Sequence, residues 1–193
     1  ALPIYIPVLL SLGKEHLYVW EKDESKYHEN EAAEILCGLC RGDYMERSGV
    51  KEGKIELTST VRGLLKIDTE LLDRINGLGE MMIASRHNNT PVEPGDKLCG
   101  TRIIPLVIEK EKMEEAVEVC GGKKIFTILP YQNKKVGIVT TGSEVYHGRI
   151  KDAFGPVLKE KVKEFGGEVM GQTITDDNPE HTRKAILEFI AQG

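Results

Sequence analysis

The chain has 193 residues, 40% of them hydrophobic and 30% charged, the make-up of a globular protein able to bury a real core. Its formal net charge of -5 argues against a general nucleic-acid binder, which needs a basic surface to displace counterions from phosphates, yet it leaves room for a local small-anion site. No run approaches the roughly 18 apolar residues that span a bilayer, so neither membrane nor nucleic acid is expected as a partner, and the cytoplasm is the default location.

The opening ten residues are apolar, with Pro3 and Pro7 and no basic start. They read as an extended lead-in, not a signal peptide, and Ala1 in place of methionine suggests trimming or excision from a longer parent. Residues 12–20 end in the strand-prone Leu17-Tyr18-Val19-Trp20. Asn30 then opens a helix running to Cys40. Its Cys37 and Cys40 form a CxxC, but Cys99 and Cys120 stand far apart and offer no second pair, so the thiols read as small core residues and not as half a zinc site. Gly38, Gly42, Gly49 and Gly53 mark a loop. Residues 54–58 alternate polar and apolar like a half-buried strand. Residues 69–75 form a short helix, and residues 80–85 and 101–108 form strands separated by turn-rich sequence. Residues 110–120 make an amphipathic helix with Met113, Ala116, Val117 and Cys120 on one stripe, followed by a strand at 124–129. These elements define an α+β lead-in domain over residues 1–130, with a hinge at 130–134.

The second unit is more regular. A short apolar strand at 136–140 stops at Thr141-Gly142-Ser143. A helix over 152–165 turns Val157, Leu158, Val162 and Phe165 inward and ends at Gly166-Gly167. A second strand covers 168–174. Asp177 and Glu180 have capping-box spacing around Pro179, opening a last helix that runs to about Ala191 with Ala185, Ile186, Phe189 and Ile190 inward. The strand–helix–strand–helix order implies a parallel sheet with right-handed crossovers. Ligands of such sheets gather at the carboxyl ends of the strands, here residues 140–144 and 175–178.

Hydroxyls and turn amides of Thr141, Gly142 and Ser143 suit a phosphate, although no P-loop is present. Glu144 either binds a ring N–H or a metal ion, or braces the turn. Arg149 and Lys151 either neutralise an oxyanion or form a solvated charge run, and His147 reads as polar surface. Asp176 and Asp177 suit Mg²⁺, which takes one or two carboxylates plus substrate phosphates; Asp177 equally suits a helix cap.

Taken together, residues 136–144, Gly148-Arg149-Ile150-Lys151-Asp152, the helix closed by Gly166, and Thr175-Asp176-Asp177 resemble the molybdopterin-binding fold of molybdopterin adenylyltransferases and molybdopterin molybdenumtransferases, the latter more closely. The resemblance covers about 60 residues, and Gly100-Thr101-Arg102-Ile103-Ile104-Pro105-Leu106 adds a less specific likeness to the molybdenumtransferase lead-in. It implies an α/β protein in which the lead-in is followed, over 135–193, by an incomplete three-layer α/β molybdopterin-binding domain with parallel strands. The implied function is molybdenum-cofactor biosynthesis, with molybdopterin or its adenylylated form as ligand, and Mg²⁺ and molybdate for a transferase-type insertion. Thr141, Gly142, Ser143, Arg149 and Asp152 would contact the ligand. Glu144 and one or both of Asp176 and Asp177 would supply the catalytic acids, the aspartates also serving the metal. The family continues into a third strand ending in a T-G-G-x-S/T-x-G turn, which would fall after Gly193. The chain is therefore expected to be part of a longer parent, inactive alone and, because two strands make a marginal sheet, a homo-oligomer. The alternatives are a non-catalytic molybdopterin-binding or sensing protein and a related domain that binds a nicotinamide nucleotide.

Overall fold

The computed structural model describes residues 6–13 and 23–193. The expected strand-prone segment at 17–20 lies outside these residues. Within the opening segment, Ile6–Ser11 is not extended but a short helix, α1, with no buried residue. Pro7 falls in its first turn, where a missing N–H costs nothing. Among the described residues no helix is long and apolar enough to cross a membrane.

The protein is a mixed α/β structure with several sheets. Strand β1 (Lys26–His28) leads into α2 (Glu29–Cys40). The helix starts one residue earlier than Asn30 because His28 caps it: the His28 ring accepts from the Asn30 amide, and Glu31 accepts from the His28 amide at 2.9 Å. Gly38 lies inside α2 rather than in a loop, and the stretch after the helix contains β2 (Met45–Arg47). Strands β3 (Ile55–Ser59) and β4 (Gly63–Ile67) follow; the second escaped the sequence reading. Next come α3 (Thr69–Gly77), β5 (Met81–Ser85), β6 (Thr90–Val92) and β7 (Lys97–Ile103). The expected strand at 101–108 is in fact the end of β7 and the separate β8 (Val107–Glu109). Pro105, which has no N–H for a ladder, sits in the break. Helix α4 (Lys110–Cys120) and β9 (Phe126–Pro130) complete this half.

Strands β2-β3-β7-β5 form a four-stranded antiparallel sheet, and β6-β4-β9 a three-stranded one. Their inner faces and α2, α3 and α4 enclose one core with Leu36, Ile55, Leu57, Leu65 and Phe126 fully buried. On α4, Met113, Ala116 and Cys120 point inward as expected, whereas Val117 is 46% exposed. All four cysteines are buried free thiols. Burial pushes the Cys37 thiol up, and contact with Cys99 together with burial pushes Cys40 well up, so both are poor nucleophiles.

The chain then passes through Tyr131, whose ring packs edge-on against Phe165 at 5.3 Å and lies beneath the Arg62 guanidinium at 5.6 Å. Strand β10 (Lys135–Thr141), a single helical turn α5 (Ser143–Tyr146), α6 (Phe154–Glu164), β11 (Glu168–Thr175) and α7 (Pro179–Ala191) follow. Strands β10 and β11 pair in parallel, ending on Thr141 opposite Thr175. Helix α6 meets the face bearing Val136, and α7 covers Gly137 with the Phe189 ring.

The stripes expected to point inward are largely exposed: Val157 56% and Leu158 42% on α6, Phe165 46% just past its end, Ile186 45% and Ile190 67% on α7. The reason is width. Two strands about 4.8 Å apart offer a face narrower than a helix of about 10 Å diameter. Only the residues over the strand pair, such as Ala185 and Ile138, are removed from water.

Candidate functional site

The rim of the β10–β11 pair is where the two polar turns come together. Gly142 has φ of 144°, a region that side-chain-bearing residues rarely adopt, and its amide donates to the Thr175 carbonyl at 3.1 Å. This bend lifts Ser143 above the end of β11. The Asp177 carboxylate then accepts from the Ser143 amide at 3.1 Å and from its hydroxyl at 2.7 Å, both on Oδ2. The expected capping role of Asp177 belongs to its neighbour: Asn178 accepts from the Glu180 amide at 2.9 Å, and Pro179 occupies the first turn of α7.

Asp176 lies beside this link. Its Oδ1 accepts from the Asn178 amide at 3.2 Å and meets His181 Nδ1 at 2.8 Å. The hydrogen bond to His181, outweighing some loss of water, holds the carboxyl below its ordinary range. Glu144 follows Ser143 in α5, next to the turn that Asp177 holds, and its side chain is exposed. The carbonyl of Glu144 takes the amides of Arg149 at 2.8 Å and Ile150 at 3.3 Å, which folds the loop back over α5. Arg149 and Thr141 are exposed beside it.

Asp152 precedes α6 instead of lying within it. Its Oδ1 accepts from the Phe154 and Gly155 amides, each at 3.0 Å, and its Oδ2 from the Gln172 amide at 2.5 Å. These donors, the Gly155 amide foremost, lower its pKa. Gln172 also donates to the Thr140 hydroxyl at 2.9 Å, so one amide group ties the start of α6 to both strands. A Cβ at Gly155 would overlap the side-chain ends of Asp152 and Gln172, so a larger residue there would push this hydrogen-bonded pair apart.

The structure therefore brings Thr141, Gly142, Ser143, Glu144, Asp176 and Asp177 to one rim. Asp152 is committed to bracing α6, and the donors of Gly142 and Ser143 are already engaged. Sequence reasoning missed Gln172, a polar residue in the middle of a strand, and His181, five residues beyond Asp176. The first carried a visible signal, since a long polar side chain two residues from both Met170 and Ile174 in a half-buried strand needs a partner.

Oxygens suit Mg²⁺, and Asp176 and Asp177 each keep one carboxylate oxygen without a protein partner among the described residues. Two carboxylates of this kind fit a metal that also takes substrate phosphates. Among the described residues, no group of three or more His, Cys, Asp or Glu side chains is arranged to hold an ion unaided.

A family profile described as a probable molybdopterin binding domain matches residues 137–193. Curated proteins are similar over a stretch of comparable length. A CinA-like protein of Mycobacterium avium (strain 104) is 44% identical over 57 residues, covering 30% of this chain and 13% of that protein. A CinA-like protein of Mycobacterium tuberculosis (strain ATCC 25177 / H37Ra) is 40% identical over 58 residues, again 30% of this chain and 13% of its own length. The chain thus spans about an eighth of the length of these relatives. The molybdopterin biosynthesis moeA protein of Pyrococcus horikoshii OT3 superposes with a TM-score of 0.27 at 11% identity, over 86% of this chain and 64% of that one, a likeness too slight to carry an argument. Residues 137–193 are thus similar to molybdopterin-binding domains.

Proposed function

We propose that residues 135–193 form the first part of a three-layer molybdopterin-binding domain, preceded by a lead-in domain over 1–130, and that the protein acts in molybdenum-cofactor biosynthesis. The ligand is molybdopterin or its adenylylated form, held at the rim of β10 and β11. Thr141 and Arg149 meet its phosphate, and Glu144 accepts from a ring N–H. Ser143 joins them when the ligand phosphate takes over the donors now given to Asp177. Gly142 permits the close approach, and Asp152 positions α6 behind the rim. Asp176 and Asp177 would hold Mg²⁺, whose charge would offset that of the phosphates, while molybdate is the group inserted. Association into a homo-oligomer and a cytoplasmic location belong to the same reading. The observation that carries it is the Ser143–Asp177 bond within the family segment, because it joins the two turns into one site.

A second reading, binding without insertion chemistry, draws support from the engaged Ser143 donors and from the relatives, which are named CinA-like and not as molybdenum-inserting enzymes. Calorimetric titration with molybdopterin under anaerobic conditions tests the ligand. AMP release from adenylylated molybdopterin by the complete parent protein, in the presence of molybdate and Mg²⁺, then separates the two readings. Turnover supports the transferase; binding alone supports storage or sensing. Failure to bind molybdopterin overturns both, and saturable binding of a nicotinamide nucleotide instead would assign the site to that ligand.

A further inference from the structure

A groove with a volume of about 490 Å³ lies in the lead-in half, on the outer face of the β2-β3-β7-β5 sheet. That volume lies within the range of roughly 300–1,000 Å³ in which small-molecule sites fall. Its floor follows from register. Glu56 on β3 and Ala84 on β5 both pair with Gly100 on β7, so a methyl group and a residue without a side chain sit side by side on the outward face. The Lys54 stem passes over Gly100, 3.5 Å from where a Cβ would be.

The walls are cationic. Lys54 and Arg102 stand at one end of the groove, Arg86 and Lys97 at the other. Glu56 bridges both lysines, at 2.7 and 2.8 Å, and Arg86 is paired with Asp96. Two lysines share one carboxylate, and among the described residues the Arg102 guanidinium donates only to the Ile103 carbonyl, at 3.3 Å. A local excess of positive charge therefore lines this groove in a protein whose formal net charge is -5. The 43%-exposed Met82, beside Arg102, adds an apolar contact surface.

We infer that this groove is a second ligand site, distinct from the β10–β11 rim, for a small phosphate monoester with an apolar body. The phosphate pairs with Arg102 and the shared lysines, and the apolar part lies over Ala84, Gly100 and Met82. Arginine and lysine together supply the fork and the point charge that a phosphate dianion takes up, and the apolar floor favours an organic ester over the free ion.

Amide NMR titrations of the whole protein with phenyl phosphate, inorganic phosphate and chloride at constant ionic strength test the inference. Saturable shifts at Ala84, Gly100 and Arg102 are expected with both phosphates, the ester binding about tenfold tighter, and none are expected with chloride. The Lys97→Ala/Arg102→Ala pair should weaken phenyl phosphate at least tenfold, and Gly100→Ala, which fills the floor without removing a charge, should also weaken it. Shifts shared with chloride, shifts confined to residues 141–152, or unchanged affinity in both variants would overturn the assignment.

Discussion

Asp177 holds Ser143 twice, through the amide and the hydroxyl, and so locks the turn after β10 onto the turn after β11. Asp177→Asn keeps the shape and removes the charge that strengthens both bonds. Hydrogen exchange at the Ser143 amide should accelerate about fivefold or more, while amides in α2 stay unchanged. Equal exchange in both proteins would show that the link does not order the rim.

Two glycines should respond oppositely to the same substitution. Gly155→Ala drives a methyl group into Asp152 and Gln172 and is expected to destabilise by about 1–3 kcal/mol in urea unfolding. Gly38→Ala meets nothing within 4 Å inside α2 and is expected to stabilise by roughly 0.5–1 kcal/mol.

Glu56 titrates at about 2, because the hydrogen-bonded ammonium groups of Lys54 and Lys97 favour its charged form. A depressed folded pKa means that this bridge contributes its full stabilisation above the ordinary value of 4.5 and loses it as pH falls toward 2. The carboxyl carbon of Glu56 should show a midpoint near that lower value by NMR and move upward in Lys97→Ala. An unmoved midpoint would mean that Lys54 alone sets it.

Glu144→Ala removes a charged acceptor without disturbing a bond of its side chain among the described residues. On the proposed function, molybdopterin affinity or turnover should fall by about tenfold or more with an unchanged Tm. Normal binding and kinetics would move the ligand away from this part of the rim.

Cys37→Ser and Cys40→Ser each place a hydroxyl in the core and should cost about 1–3 kcal/mol. Metal content, measured by mass spectrometry, should be the same as in the parent protein. Loss of stoichiometric zinc would reopen the CxxC as a metal site.

Elements with strong periodicity were legible in the sequence: α4 was placed at its observed ends, and β3, α3 and α7 within a residue or two. Strand β4 was not, since Gly63-Leu64-Leu65-Lys66-Ile67 carries no clean alternation and takes its form from pairing with β9. The rim was legible as two polar strand ends. What the pattern hid was how the polar groups are divided among partners. Asp177 reads as the cap, and tertiary contact with Ser143 engages it elsewhere and leaves that part to Asn178. Helical stripes marked which side of α6 and α7 is apolar, but the narrow strand pair determines how much of it escapes water.

Helix α6 is fastened at both ends to different things. Its first turn hangs on Asp152 and, through Gln172, on Thr140; just past its last turn, Phe165 abuts Tyr131, which in turn lies under Arg62 and beside the Arg62–Glu93 ion pair. Eleven residues make a rod of about 16 Å. Such a rod acts as a lever arm: on the proposed function, a tilt imposed by a ligand at the β10–β11 rim is delivered, at that distance, to the aromatic joint of Phe165 and Tyr131.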